Sequence, residues 1–223
     1  MCATLRETSI MATNSLTGII DYGVGNLRSV FNAVEAVGGN PVVTASTKEL
    51  FSCDRLILPG VGAFAHGMAE LKSRELDTLI KSAVKERMPV LGICLGMQML
   101  AEKSLEFGET DGLGLADGVV SLIGHESSNK VLRLPHVAWK QLTRASEEAK
   151  WFFHKVNPEA RFYFIHSYAL SGISRSVIAT ADYEGALFGA VISVGNVVGT
   201  QFHPEKSGPE GLQMLKNFVM KGL

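Results

Sequence analysis

The chain has 223 residues, 21 of them basic and 22 acidic, for a formal net charge of −1. That length can bury a core without disulfide or metal staples, and the balanced charge argues against a nucleic-acid or membrane-surface protein working through a basic face. Cys2, Cys53 and Cys94 show no CxxC or His/Cys ligand spacing, which argues against a structural zinc and for a reducing, cytoplasmic setting.

The first seventeen residues, "MCATLRETSIMATNSLT", are polar and lack the basic start and continuous apolar core of a secretion signal. Residues 1–17 therefore read as a disordered extension, with Met11 as a second candidate start, and residues 18–223 as one domain. Its first half alternates short apolar runs, "GIID", "PVVT", "RLILP" and "PVLGI", with helical spacings such as Leu27, Val30, Phe31, Val34. That rhythm predicts a parallel sheet covered by helices. From Asp117 onward strand-like runs dominate ("GVVSLI", "RFYFIHSYAL", "SVIATADY", "ALFGAVISV", "NVVGTQFHP") and predict mostly antiparallel or mixed pairing. The uncharged stretch from Gly185 to Pro204 is split at Gly195-Asn196 and reads as paired strands, not as a membrane span. "SGPEGLQMLKNFVMKGL" predicts a closing helix, with Ser207 as N-cap, Pro209 in the first turn and a stripe of Leu212, Leu215, Phe218 and Val219. The fold expected is α/β: a single domain with a central mixed, mostly parallel sheet flanked by helices.

Two glycine loops invite a nucleotide reading. Gly60-Val61-Gly62-Ala63-Phe64-Ala65 follows the strand "RLIL" and fits GxGxxG/A, and Gly23-Val24-Gly25 opens another turn. A dinucleotide site also calls for an acid ending the next strand, and neither "PVVTAS" nor "PVLGIC" supplies one. In "PGVG" the glycines can instead turn peptide N–H groups toward a developing negative charge, or simply form a tight turn.

Gly92-Ile93-Cys94-Leu95-Gly96 has the form of the nucleophile elbow GxSxG with cysteine in place of serine, at a strand-to-helix turn. The start of the following helix favours thiolate over thiol; the plain alternative is an inert core cysteine. A nucleophilic cysteine needs a base, and His203 stands out among six histidines. In extended geometry His203 and Glu205 point the same way while Pro204 stiffens the link, so the carboxylate can orient the imidazole. His166, in "YFIHSY", is the second candidate base.

Taken in order, "PGVG", "GICLGMQ" and "TQFHPEKS" resemble the class I (triad) glutamine amidotransferases, a flavodoxin-like α/β fold. "IIDYGVGNLRSV", "RLPHVAW" and "FYFIHSY" are similar to the glutaminase subunits of imidazole glycerol phosphate synthases in particular, from about Gly18 to the C-terminus. The resemblance implies that Cys94 attacks the glutamine carboxamide, His203 shuttles the proton and Glu205 holds His203. It implies an oxyanion hole from the Val61-Gly62 segment and Leu95, and substrate contacts at Gly60, Gln98, Glu106, Ser167 and Tyr168. It further implies no cofactor or metal, and a separate (β/α)₈ synthase (cyclase) subunit as heterodimer partner, docked near Asn26, Trp139 and Lys206. That subunit would use the ammonia to make imidazole glycerol phosphate and AICAR in histidine biosynthesis. Where the family usually has glycine before the tryptophan, this chain has Ala138. The Val61-Gly62 peptide is also expected to rotate, pointing its carbonyl into the oxyanion site until partner and acceptor bind. Rival readings are the same glutaminase serving a surface-polysaccharide sugar amidotransferase, a non-catalytic partner-binding scaffold, and a free-standing thiol peptidase or amidase.

Overall fold

Short apolar strands and amphipathic helices alternate through the first half of the chain. The computed structural model describes residues 15–124, 132–144, 146–170 and 174–221. In order it forms β1 (Leu16–Ile20), α1 (Leu27–Ala36), β2 (Asn40–Thr44), α2 (Thr47–Phe51), β3 (Arg55–Leu58), α3 (Phe64–Ser73), α4 (Leu76–Lys85), β4 (Val90–Ile93) and α5 (Leu95–Leu100). There follow β5 (Lys103–Ser104), β6 (Thr110–Asp111), β7 (Val119–Leu122), β8 (His136–Gln141), β9 (Thr143–Arg144), β10 (Arg161–His166) and β11 (Tyr168–Leu170). β12 (Val177–Tyr183), β13 (Ala186–Val194), β14 (Val197–Thr200) and α6 (Gly208–Lys221) complete the chain. The boundary expected after Thr17 falls inside β1: Thr17 is fully buried and paired on both sides, with Pro41 and Arg55. Residues 1–14 of the expected extension, Met11 included, lie outside the described residues.

The main sheet has eight strands in the order β2-β1-β3-β4-β14-β13-β12-β9. β2, β1, β3, β4 and β14 run parallel, and β13, β12 and β9 add antiparallel pairs at one edge. The uncharged stretch read as paired strands is the β13–β14 hairpin, turning at Gly195-Asn196 with Gly195 at φ +55°. Successive strand residues face opposite sides, and the buried residues divide accordingly. Ile19, Ile57, Leu91 and Val198 pack with Val30 and Val34 of α1 and Leu215 and Phe218 of α6. Ile20, Leu56, Leu58, Val90 and Val197 pack on the other side with Met68 and Leu71 of α3 and Leu79 and Ile80 of α4. Both faces are covered, as a parallel sheet requires.

Two small sheets lie outside this frame, one pairing β10 with β8 and one ordered β11-β7-β5-β6. The run "RFYFIHSYAL" therefore belongs to both: it breaks at Ser167, after which Tyr168 pairs with Leu122 instead of continuing along β8. The Ser207 hydroxyl, the expected N-cap, donates to the His203 carbonyl at 2.6 Å and accepts the Tyr163 N–H at 2.9 Å. It thereby fastens the turn after β14 to β10.

The β13–β14 hairpin is tied to α4 through one side chain. Asn196 Nδ2 donates to the Val84 and Met88 carbonyls at 3.1 and 2.7 Å, and the Asn196 main-chain carbonyl accepts the Val90 N–H at 3.0 Å. Asn196→Ala leaves both acceptors without this donor, so a loss of about 1–3 kcal/mol is expected. It should appear as a lower denaturation midpoint with an unchanged m-value. An unchanged midpoint would show that the hairpin does not depend on this amide.

Candidate active site

The carboxyl ends of β3, β4 and β14 lie side by side, since β4 pairs with β3 on one edge and β14 on the other. The "PGVG" loop leaves β3, Cys94 follows β4, and His203 comes three residues after β14, so topology gathers three distant segments. A crevice beyond the carboxyl ends of parallel strands is where open α/β sheets bind ligands.

Cys94 sits at φ +54°, ψ −111°, a region L-residues rarely enter. Its N–H is held by the Thr200 carbonyl at 2.7 Å and its carbonyl accepts the Gln98 N–H at 3.1 Å. The flanking glycines are steric requirements. A Cβ on Gly96 would overlap the Leu58 carbonyl oxygen, and one on Gly92 would lie 2.7 Å from the Met97 nitrogen. Gly60 is equally confined, its Cβ position being 2.5 Å from Tyr22 Oη and 2.9 Å from Leu95 Cβ. Tyr22 donates to the Pro59 carbonyl at 2.9 Å, and burial, with a smaller effect from nearby Cys94, pushes its phenol pKa up. The glycine loop that mimics a dinucleotide motif thus packs against the cysteine turn.

His203 and Glu205 have side chains only 3% and 1% exposed, with Nδ1 to Oε1 at 2.8 Å. Burial acts against a charged imidazole here, but Cys94 and Glu205 outweigh it and raise the pKa to about 9. His203 Nε2 is buried and makes no hydrogen bond of ordinary geometry among the described residues. The influence of Cys94 on the ring is therefore one of proximity and charge. A ring that stays protonated at neutral pH beside a thiol suits a thiolate–imidazolium pair.

A cleft of about 400 Å³ opens over these groups. Val61, Gly62, Cys94, Leu95, Gln98, Glu106, Ser167, Tyr168 and His203 all line it, so the structure brings together most residues singled out in the sequence. Gly62, at φ +97°, has a conformation that favours glycine. Gly60 and Glu205 stand behind the lining, the first against Leu95 and the second against His203. Glu106 Oε2 accepts the Phe64 N–H at 2.7 Å, which ties the cleft wall to the start of α3.

His166 lines the cleft as well but is poorly suited as the base. Its Nδ1 lies 2.9 Å from the Tyr168 carbonyl and so carries the proton, leaving Nε2 to accept from His136 Nδ1 at 3.4 Å. Burial is the main cause that lowers its pKa to about 3 and that of His136 to about 4. The sequence reading also missed Phe107, Pro135 and Ile165 in the lining, and the buried Gln201 beside Cys94. For Gln201 a signal existed, because in "TQFHP" it stands two residues before His203 and shares its side of an extended chain.

Asn26, Trp139 and Lys206 are exposed, Trp139 at 48%, and stand on elements in mutual contact: the turn at 204–206 packs against α1 and β10, and β10 pairs with β8. Asn26 caps α1 by accepting the Ser29 N–H. Ala138, the departure from the family pattern, pairs with Phe164. Among the described residues no helix is long and apolar enough to cross a membrane, and no group of three His, Cys, Asp or Glu side chains is placed to hold a metal ion.

Comparison with known proteins gives the same picture. The family model "Glutamine amidotransferase class-I" matches residues 18–221. The imidazole glycerol phosphate synthase subunit HisH of Oceanobacillus iheyensis is 37% identical over 203 residues, covering 91% of this chain and 98% of that protein. The HisH of Bacillus anthracis is 41% identical over 204 residues, covering 91% and 93%. HisH 1 of Legionella pneumophila is 40% identical over 210 residues, covering 92% and 99%. Among solved structures, PurLQS from Thermotoga maritima aligns with TM-score 0.69 at 21% identity, covering 92% of this chain and 97% of that one. With its elbow cysteine, its buried His-Glu pair and a family match along nearly its whole length, the chain belongs to the class I glutamine amidotransferases.

Proposed function

We propose that the chain is the glutaminase subunit of an imidazole glycerol phosphate synthase, hydrolysing L-glutamine to glutamate and ammonia through a thioester on Cys94. The observation that carries this reading is Cys94 at φ +54° in the cleft beside His203, whose Nδ1 is held by Glu205 at 2.8 Å. The full-length likeness to HisH subunits supports the histidine-pathway customer.

In this reading the Cys94 thiolate attacks the carboxamide carbon, and the C=O electron pair moves onto oxygen. The N–H groups of Leu95 and of the Val61-Gly62 segment would receive that oxyanion, the kind of preorganised donor set that contributes most to acyl transfer. The tetrahedral species collapses as His203 gives its proton to the leaving nitrogen, so ammonia departs and a thioester remains. Neutral His203 then takes a proton from water, whose oxygen attacks the thioester. Glutamate leaves, and the thiolate–imidazolium pair is restored. Gln98, Glu106, Ser167 and Tyr168 would hold the substrate along the cleft wall, with Glu106 suited to its ammonium group.

A cytoplasmic heterodimer fits the rest of the surface. On β8 and β10 the exposed Val137, Trp139 and Ile165 form an apolar strip, with Lys206 at its side. We assign the (β/α)₈ cyclase subunit to this face, residues 18–223 to the amidotransferase domain, and residues 1–17, apart from Leu16 and Thr17 of β1, to an extension. No cofactor is needed, because every proton and electron pair in the scheme is handled by Cys94, His203, water and substrate.

Cys94→Ala is expected to lower glutamine-dependent synthesis by at least about 10⁴-fold, as loss of a triad nucleophile does. Synthesis fed by added ammonium salts should continue, because the acceptor site lies on the other subunit. Loss of both activities in a well-folded complex would overturn the glutaminase reading.

The His203 pKa also makes a testable claim. Because acylation needs the protonated ring, kcat/KM should fall as pH rises through about 9. Glu205→Gln removes a charge that favours the imidazolium, so this alkaline limb should move down toward the ordinary histidine range, with a rate loss of up to about 10⁴-fold. An alkaline limb that stayed in place in Glu205→Gln would show that Glu205 does not set the His203 protonation state.

A further inference from the structure

The amides buried beside Cys94 admit one consistent orientation. The Tyr168 carbonyl can only accept a hydrogen bond, and Gln98 lies 2.8 Å from it, so the group Gln98 presents is Nε2–H. The same Nε2 lies 3.0 Å from the Gln201 side chain, which therefore presents its oxygen. That leaves Gln201 Nε2–H toward Cys94 Sγ, at 3.7 Å, a separation compatible with the larger sulfur atom. Gln201 is fully buried and Gln98 is 5% exposed, so the protein around them fixes the amides' roles. The Tyr168 carbonyl is itself anchored by His166 Nδ1–H, which gives the whole chain of bonds a fixed acceptor at its far end.

We propose that Gln201 is a further catalytic residue, donating its Nε2–H to the Cys94 sulfur and holding the thiolate in position, with the Gln98–Tyr168 link fixing Gln201 as donor. This rests on the reading of Cys94 as the nucleophile. A thiolate is an acceptor only, and in a buried site each donor withdrawn from it favours the neutral thiol. Were the Gln201 amide turned over, its oxygen would face the sulfur and repel the anion; the bond from Gln98 prevents that turn. Gln98 thus serves two sides, forming part of the cleft wall and setting the polarity of the amide that faces the nucleophile.

The test uses the full chain, alone and mixed with the cyclase subunit. Gln201→Met keeps the side-chain length and removes the donor. Iodoacetamide modification of Cys94, followed by peptide mass spectrometry from acidic to alkaline pH, reads the thiolate directly and needs no substrate. The midpoint is expected to move up by about one unit, equivalent to about a tenfold smaller thiolate fraction below it. Glutamine hydrolysis should lose about ten- to a hundredfold in kcat, with a smaller change in KM, while ammonia-fed synthesis continues. An unchanged midpoint in a folded Gln201→Met protein overturns the proposal. If its thermal melt shows that this variant does not fold, Gln98→Met decides: Gln201 stays in place without the group that orients it. The midpoint should again move up, and a wild-type midpoint overturns the proposal. Failure of the underlying reading looks different, because glutamine hydrolysis surviving in Cys94→Ala would remove the nucleophile itself.

Discussion

Where β4 meets α5 there is no room for a side chain at position 96: a Cβ there would run into the carbonyl oxygen of Leu58 on the neighbouring strand. This close approach holds the turn against β3 and compels Cys94, one residue beyond the strand, into a backbone conformation that L-residues rarely adopt. Such a residue costs about 1–3 kcal/mol, and it persists because both neighbouring strands determine it. Leu58 lies on one side, and on the other the Thr200 carbonyl holds the Cys94 N–H. The constraint aims the sulfur into the cleft and brings in the two segments that flank β4. The glycine loop at residues 60–62 leaves β3 under Tyr22 and Leu95, and His203 follows β14 with its N–H on the Tyr163 carbonyl.

The electrostatics follow from that enclosure. Burying Glu205 and His203 is costly, and only their mutual contact together with the cysteine makes it tolerable. His203 therefore has a proton affinity above that of a free imidazole, and its contribution to stability is present below the unfolded value and lost as pH rises through about 9. His136 and His166 make the opposite demand. Both are buried neutral, so stability is lost as pH falls from the ordinary histidine value toward about 4 and about 3. The site thus sets one histidine charged and two neutral: all three are buried, but at His203 the neighbouring Cys94 and Glu205 outweigh the burial, and at His136 and His166 burial prevails.

The residues that could be read in the sequence were those whose chemistry is local. The Gly-flanked cysteine, the His-Pro-Glu triplet and the apolar rhythm of the first half each depend on neighbours a few positions away, and the structure places them accordingly. What stayed hidden depends on pairing across long separations. "RFYFIHSYAL" looks like one strand, yet Ser167 divides it between two sheets because β7 and β8 compete for its halves. Ser207 has the chemistry of a helix cap, but its hydroxyl serves the His203 carbonyl and the Tyr163 N–H. Glu106 was legible as a cleft residue through family likeness, whereas its bond to Phe64, 42 positions away, was not. The period of an extended strand does put Gln201 beside His203, but nothing in the sequence says what its amide would meet.

The ribbon of β8 and β10 lies between the protein surface and the cleft. Alternation gives it two unlike faces: His136, Phe162, Phe164 and His166 point inward, while Val137, Trp139 and Ile165 are exposed. In the register of the pair His136 stands opposite His166, and Val137 opposite Ile165, so the two faces share the same backbone. Inward, the histidines reach the Tyr168 carbonyl, from which Gln98 and Gln201 lead to Cys94. A partner seated on the outer strip would press on the strands that position this buried chain of hydrogen bonds, and through Ile165 it would also reach the rim of the cleft. Packed elements of this kind shift between discrete arrangements more readily than they deform continuously. The same two strands thus carry the exposed apolar strip on one face and anchor the hydrogen-bond chain to Cys94 on the other, an arrangement that follows from strand alternation.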